Sequence, residues 1–479
     1  MPEDLAERLE EAGQGHLLAA VTRLEGADRQ RLREQVTALD LDQISRLIRD
    51  LVQTDTVTEL SDLEPPDVVA VATSEGDEAR DRHARTAGEE LLAEGRVAAV
   101  LVAGGQGTRL GFDGPKGAFP FAPVSRRTLF AHHAAKIAAV RRRFGCELPW
   151  YIMTSPQNDA ATRAVFAEHD WFDLPPESVR LFVQGTLPAV DRETGRILLE
   201  APDRLALSPD GHGGLFAALR RHDLFDEMHD HGITTMFTFQ VDNPMVRIAR
   251  AEFLGHHTSC GSEMSNVVVR KKHPAERMGV VARSHGRTIL VEYSDLPEEL
   301  ANARQPNGEL VFFAGSIAVH AIELTLAERV TEEGTRLPYH RAIKHVPYVD
   351  EDGQLIQPDA PNAVKFEAFI FDALPLANRV LSVETLRSDD FSPIKNATGD
   401  DSPESARRDL NRMYARWLEC AGAFVPRDAD GDPTVDIEID PRYALDAAEL
   451  AERLPTGFQV AEAVLLEADR GNGGRTAPT

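Results

Sequence analysis

The sequence predicts an α/β protein built on a largely parallel sheet with helices on both faces. Three observations carry this reading. Residues 97–103, VAAVLVA, form a valine-rich apolar run too short for a typical helix, which reads as a strand buried on both faces. From residue 97 to about 386, strand-like and helix-like segments alternate, as crossover-connected parallel strands require. Four polar motifs fall at the ends of candidate strands: the glycine loop after Ala103, MTS at 153–155, QG at 184–185 and VDN at 241–243. The ligand crevice of an open α/β sheet lies beyond the carboxyl ends of its strands.

Taken in order, residues 3–52 show apolar residues at helical spacing: Leu5 and Leu9, then Leu17, Val21 and Leu24, then Leu32, Val36 and Leu39, then Ile44, Ile48 and Leu51. Successive short amphipathic helices with a packing or oligomer-contact role are expected. Residues 53–69, with Pro65 and Pro66, read as a connection, and a charged helix at about 78–94 leads into the central strand. Further strands are expected at 150–153, 179–183, 234–241 and 264–269, with helices at 128–144 and 159–168. After Pro403 a helix carries Leu410, Met413 and Trp417 on one side. The DADGD of 428–432 lacks the glycine an EF-hand loop needs at its sixth position and reads as a solvated turn. The Gly-rich end from about residue 470 is expected to fray. The expected organisation is a helical segment at 1–95, a main domain at 96–388 and a smaller C-terminal segment at 389–479.

Composition narrows the function. A formal charge of −26 over 479 residues repels polyanions except at a local basic site, which argues against general nucleic-acid binding. No apolar run reaches eighteen residues, and the N-terminus has neither a basic nor an apolar leader region, so no membrane span and a soluble, cytoplasmic protein are expected. Cys146, Cys260 and Cys420 lie far apart, fit no zinc spacing and cannot all pair, which suits reduced thiols. Lysine occurs only at positions 116, 136, 271, 272, 344, 365 and 395; so acidic a chain with so little lysine suggests a salt-rich cytoplasm or biased codon usage.

The chemistry concentrates after the first strand. Gly104, Gly105 and Gly107 let main-chain N–H groups approach an anion with no Cβ in the way. Arg109 and Lys116 add two cations, and Pro115 stiffens the approach to Lys116. The Walker pattern is absent because Lys116 is followed by Gly117, and GxGxxG fails because Thr108, Arg109 and Leu110 separate Gly107 from Gly111. An NAD-dependent oxidoreductase therefore has no fingerprint to stand on. What remains, GGxGTRLG followed by PKG, resembles the nucleotidyltransferase signature of sugar-nucleotide pyrophosphorylases.

The likeness extends through LVAGGQGTRLG, PKG, RRTLF, MTS, QGTLPA, SPDGHGGL, FQVDN, GVV, VEYS, LPYHRAIKHVPYVD, KFEAFIFD and FSPIKNA, in that order over roughly residues 80–425. This order resembles the eukaryotic-type UDP-sugar pyrophosphorylases, most of all their N-acetylglucosamine branch. The resemblance implies a Rossmann-like, GT-A-like nucleotidyltransferase domain with a mixed sheet, flanked by a helical N-terminal and a smaller C-terminal segment. It implies that UTP and a sugar 1-phosphate give a UDP-sugar and pyrophosphate with Mg²⁺, in a monomer or homodimer. A non-catalytic nucleotide-sugar binder is the rival, against which stand Arg109, Lys116, Asp242 and Lys395.

In such a reaction the sugar-phosphate oxygen is already an anion, so positioning and charge neutralisation replace a general base. The catalytic candidates are Arg109, Lys116 and Lys395, all facing phosphate charge, and Asp242 is the candidate Mg²⁺ ligand, with a helix cap ahead of Pro244 as its alternative. The resemblance places Gln184 on the nucleotide with Gly104, Gly105 and Gly211, Gln184 having both a donor and an acceptor to offer a uracil edge, and Ala103, Gly107 and Thr108 are further substrate-binding candidates. Gly279 and Glu292 match sugar contacts. Phe369 and Phe371 would wall the sugar pocket, although their alternation equally fits strand packing. Two departures leave the sugar open. Ser316 and Val319 replace the asparagines of the AGNIANH typical of N-acetylglucosamine enzymes, and His212 gives a GHG resembling glucose and broad-range enzymes.

Overall fold

The computed structural model describes residues 3–54 and 62–468. The end expected to fray from about residue 470, and residues 55–61 of the expected connection, lie outside the described residues. The chain divides into two compact units. The smaller comprises Met1–Ser61, Gln184–Ala218 and Glu333–Asp372; the larger comprises Asp62–Val183, Leu219–Glu332 and Ala373–Thr479.

The larger unit is built on a ten-stranded sheet. Its strands are β1 (Val68–Val69), β2 (Val97–Val102), β3 (Trp150–Thr154), β4 (Val179–Val183), β5 (Thr235–Gln240), β6 (Met264–Arg270), β7 (Val280–Ser284), β8 (Arg287–Val291), β9 (Ala314–Glu323) and β10 (Val380–Glu384). The order is β1-β10-β6-β9-β5-β2-β3-β4, with β7 pairing β9 and β8 pairing β7. Strands β5, β2, β3 and β4 run parallel, whereas β9 runs antiparallel between β5 and β6. Every residue of β2 is buried, the reason its sequence is an unbroken apolar run. Because β9 runs against its neighbours, its first residues lie at the edge where β5 and β6 end.

The helix Leu129–Phe144 starts where the Thr128 side chain accepts the Ala131 N–H and stops at left-handed Gly145 (φ 61°). It makes the β2–β3 crossover, and Asp159–Glu168 makes the next. The charged helix is Glu75–Ala93, opened by a Ser74/Asp77 capping box. It crosses Ala251–Ser259 at two glycines. A Cβ on Gly88 would lie 1.9 Å from the Ala251 carbonyl oxygen, and one on Gly255 would lie 1.6 Å from that of Ala84. The helix Pro403–Cys420 contributes Leu410, Met413 and Tyr414 to the same core cluster as β2 and β5. The DADGD segment is a turn closed by Asp428 N–H to Asp432 C=O, and Asp432 pairs with Arg412.

The smaller unit packs the helices Glu3–Glu11, His16–Arg23, Gly26–Thr37 and Leu41–Leu51 over short strands, burying Leu9, Leu17, Leu32, Val36 and Ile44 with Ile197 and Phe366. The fully buried amide of Gln14 donates to Gly195 C=O and accepts the Ile197 N–H, tying the helices to these strands. Among the described residues no helix is long and apolar enough to cross a membrane.

Candidate active site

The glycine loop leaves the carboxyl end of β2 and closes on itself. Gly107 N–H donates to Gly114 C=O at 2.9 Å, and Lys116 N–H donates to Gly105 C=O at 3.1 Å. The glycines serve different ends. Gly104, Gly105 and Gly107 are not left-handed, while Gly111 (φ 68°) closes the 3₁₀ turn Thr108–Leu110. A Cβ on Gly107 would meet the Phe112 ring at 2.7 Å, whereas Gly105 faces open space bounded by Lys116 Cε at 3.8 Å. The N–H groups of Gly104, Gly105 and Gln106 have no partner among the described residues. Three consecutive unpaired N–H groups leave the loop with main-chain donors to offer an anion. Ala103 is buried beneath it, and Thr108 and Arg109 are exposed.

Lys116 Nζ donates to Asp242 Oδ2 at 3.2 Å, with the two side chains only 16% and 18% exposed. Asp242 therefore caps no helix; the next begins at Ala251. Its neighbours are pinned from the Leu129–Phe144 helix, where His133 Nε2–H donates to Val241 C=O and His132 Nε2–H to Pro244 C=O. Lys136 donates to the carbonyls of Pro244 and Val246, and burial pushes its amine down to about 7. Burial likewise pushes His133 down to about 3 and His132 well below the usual histidine range.

Lys395 reaches this edge through its backbone. Ile394 N–H donates to Asp242 C=O at 2.8 Å, and Asn243 holds the same segment by donating to Asp390 C=O and accepting the Ser392 N–H. Asp390 is buried and ion-paired with Arg247, which holds its carboxyl well below the usual range against the cost of burial. The Lys395 amine is 47% exposed, 4.0 Å from Asp401 and 5.9 Å above the Phe391 ring.

Gly279, Glu292 and Ser316 also converge in the larger unit. Ser316 N–H donates to Gly279 C=O at 2.9 Å, and Glu292 Oε1 lies 3.6 Å from where a Gly279 Cβ would stand. Ser316 sits beside a bulge in β9. The register with β6 jumps between Asn266 and Val268, and Ala318 is left-handed (φ 55°). Val319 is buried in the core and offers no surface to a ligand.

The other five candidates belong to the smaller unit. Gly185 C=O accepts the Asp210 N–H, which sets Gln184 beside the 208–214 loop. Gly211 is left-handed (φ 85°), and a Cβ there would strike Ala368 C=O at 2.4 Å, so glycine is required twice over. His212 Nδ1 accepts the Ile370 N–H at 3.0 Å, which leaves the proton on Nε2 as a donor. Burial pushes this imidazole down to about 4, so it is neutral at pH 7. Its ring contacts Phe369 and Phe371, which stack on each other at 5.0 Å. Strand packing does not explain the two phenylalanines. The strand Ala363–Glu367 ends before them, and a 3₁₀ turn, Ile370–Leu376, puts both rings on one side.

Sequence reasoning missed Asn158, Asn243, Asp390 and Asp401. Asn243 follows directly on Asp242, a signal that could have been used; Asn158 looks only like a helix cap.

Comparison with known proteins agrees with this architecture. The sequence profile described as UTP–glucose-1-phosphate uridylyltransferase matches residues 42–421. The chain is 36% identical to human UDP-N-acetylhexosamine pyrophosphorylase-like protein 1 over 92% of both chains. It is also 36% identical to the UDP-N-acetylglucosamine pyrophosphorylase of Saccharomyces cerevisiae over 78% of this chain and 79% of that one. The crystal structure of the Trypanosoma brucei UDP-N-acetylglucosamine pyrophosphorylase superposes with a TM-score of 0.81 at 26% identity, covering 97% of each. A mixed sheet with its glycine loop, Asp242 and Lys395 gathered on one edge, matched over so much of the chain, places this protein in the UTP–glucose-1-phosphate uridylyltransferase family.

Proposed function

We propose that the protein transfers the uridylyl group of UTP to an N-acetylhexosamine 1-phosphate, with N-acetylglucosamine 1-phosphate the preferred acceptor, releasing pyrophosphate. The observation that carries this is the unpaired N–H triplet of residues 104–106 beside the Lys116–Asp242 pair. A phosphate oxygen of the sugar bonds to the α-phosphorus of UTP, and the bridging P–O bond to the β-phosphate breaks with its electron pair leaving on pyrophosphate. The loop N–H groups and Arg109 hold the triphosphate. Lys116, held in advance by Asp242, and the more exposed Lys395 neutralise charge as it develops, a preorganised cation being most effective there.

Mg²⁺ suits the donor set. Among the described residues no group of three or more His, Cys, Asp or Glu could form a cage. One carboxylate at a strand end is what Mg²⁺ takes when phosphate oxygens and water complete its shell. When bound there it would neutralise phosphate charge, with Asp242 as its protein ligand. The unpaired cysteines, Cys146 buried among them, support a reducing, cytoplasmic setting.

Selectivity among sugars is relaxed. Ser316 is shorter than asparagine, and a site rejects an analogue strongly only where its own polar groups would be left unpaired. Within the smaller unit by itself, the neutral Nε2–H of His212 beside the Phe369–Phe371 stack sets a hydrogen-bond donor next to an apolar face. The test is pyrophosphate release from UTP and Mg²⁺ against N-acetylglucosamine, N-acetylgalactosamine, glucose and galactose 1-phosphates, in the wild type and in Ser316→Asn. Turnover with none of them refutes the proposal. A wild-type preference above about a thousandfold for one sugar, well beyond the roughly 10 to 200-fold a missing methylene gives, refutes relaxed selectivity.

A further inference from the structure

An asparagine just before a helix ordinarily spends its side chain on the helix N–H groups. Asn158, ahead of Asp159–Glu168, makes no such bond. Its amide turns the other way. Nδ2 donates to Ala103 C=O at 2.8 Å and to Gly105 C=O at 3.2 Å, while Oδ1 accepts the Ser155 N–H at 2.8 Å. The Asn158 side chain is fully buried, as are its bonds to Ala103 and Ser155, while the bond to Gly105 C=O is part-buried. Nearby, Gln106 Nε2 donates to Gln157 C=O at 3.2 Å, a second tie between the two loops.

The consequence follows from the trans peptide plane, in which the N–H of one residue points opposite to the C=O of the residue before it. Drawing the Ala103 carbonyl toward Asn158 turns the Gly104 N–H away from it, and drawing the Gly105 carbonyl does the same for the Gln106 N–H. Those two N–H groups belong to the unpaired triplet. Without Asn158 the buried Ala103 carbonyl would lose this donor and the Gly105 carbonyl would keep the Lys116 N–H alone, and a rotation of either peptide would present an oxygen where a phosphate is to bind.

We propose that Asn158 is a positioning residue that aims the Gly104 and Gln106 N–H groups at the UTP phosphates, an inference that rests on the glycine loop holding UTP. The decisive variant is Asn158→Asp. A carboxylate keeps the acceptor for Ser155 and can cap the helix, but it has no hydrogen for either carbonyl and repels both. Steady-state kinetics and calorimetric UTP binding are measured on the wild type, Asn158→Asp and Asn158→Ala, with Arg109→Ala as a reference for loss of a side-chain cation, and circular dichroism confirms folding. Both Asn158 variants are expected to raise the KM for UTP about tenfold or more and to lower kcat, a misplacement of 1 Å being able to cost 10²-fold. The KM for the sugar phosphate should stay within about twofold, because its contacts are not moved. A folded Asn158→Asp or Asn158→Ala with unchanged UTP kinetics overturns the assignment, as does an equal rise in both KM values, which marks general damage. A wild type that binds no UTP overturns the functional reading as well. A wild type that binds and uses UTP, with Arg109→Ala impaired and Asn158→Asp unaffected, overturns this assignment alone.

Discussion

At the scale of single residues, Lys116 and Asp242 neutralise one another across 126 positions of chain, and each fixes the other's place. Lys116→Ala is expected to lower kcat by about 10²-fold, the usual cost of one preorganised stabilising group, with little change in the KM for the sugar phosphate. Asp242→Asn is expected to abolish Mg²⁺-dependent turnover. Rapid-quench measurement of pyrophosphate formation checks both. A Lys116→Ala enzyme with a raised KM and full kcat would make the lysine a binding contact only, and full activity in Asp242→Asn would remove the carboxylate from the metal site. Lys395 stands differently, half exposed and loosely paired with Asp401, whose carboxyl is pushed up by burial. On the proposed reading its flexible stem would swing to an arriving phosphate, whereas Lys116 is already held by Asp242.

At the scale of elements, the crossing of Glu75–Ala93 on Ala251–Ser259 reverses a general rule. Replacing a mid-helix glycine by alanine ordinarily stabilises by roughly 0.5–1 kcal/mol. At Gly255 or Gly88 the new methyl meets backbone on the partner helix, which cannot step aside as a side chain can. Gly255→Ala should therefore destabilise by about 1–3 kcal/mol, the usual range for overpacking, read from urea unfolding. A neutral or stabilised variant would show that the helices can separate freely. The helix Leu129–Phe144 carries a pH dependence of its own. His132 and His133 are buried with depressed pKa values, His133 at about 3. Above the ordinary histidine value neither folded nor unfolded chain carries these protons and the contribution is constant. As pH falls from about 6.5 toward 3 the unfolded chain takes up protons that the folded chain refuses, and stability drops by up to about 1.4 kcal/mol per pH unit for each histidine. His133→Gln should flatten the stability profile between pH 6 and 4, measured by denaturant titration, and an unchanged slope would show that this ring is protonated in the fold.

At the scale of the whole molecule, the excess of acidic over basic residues, 78 against 52, sets a repulsion that no single pair removes. Exposed pairs such as Arg196–Glu351 and Arg204–Glu200 contribute only about 0–1 kcal/mol each and weaken in salt. Raising NaCl to about 1 M, where the Debye length shrinks to about 3 Å, should therefore raise the melting temperature rather than lower it. A falling melting temperature over that range would mean that the exposed pairs outweigh the net repulsion.

The sequence alone picked out β2 to β6 and the long helices, though not β7 to β10, because a buried strand must be apolar throughout and an amphipathic helix must repeat near 3.6 residues. It also singled out the glycine loop, VDN and FSPIK, since few residue types can serve an anion or a metal. Only the tertiary structure decided how those pieces meet. The antiparallel insertion of β9 brings Ser316 to the edge where β5 and β6 end, and Ile394 N–H on Asp242 C=O delivers Lys395 there. Asn158 has the sequence of a cap and the bonds of a loop clamp. The alternating Phe369 and Phe371 turned out to lie at a 3₁₀ turn, because the strand before them ends at Glu367. The smaller unit is assembled from three separate stretches of chain. In each case the deciding interaction joins polar or backbone groups far apart in sequence, and local patterning records only how each residue is buried, not which distant partner satisfies it.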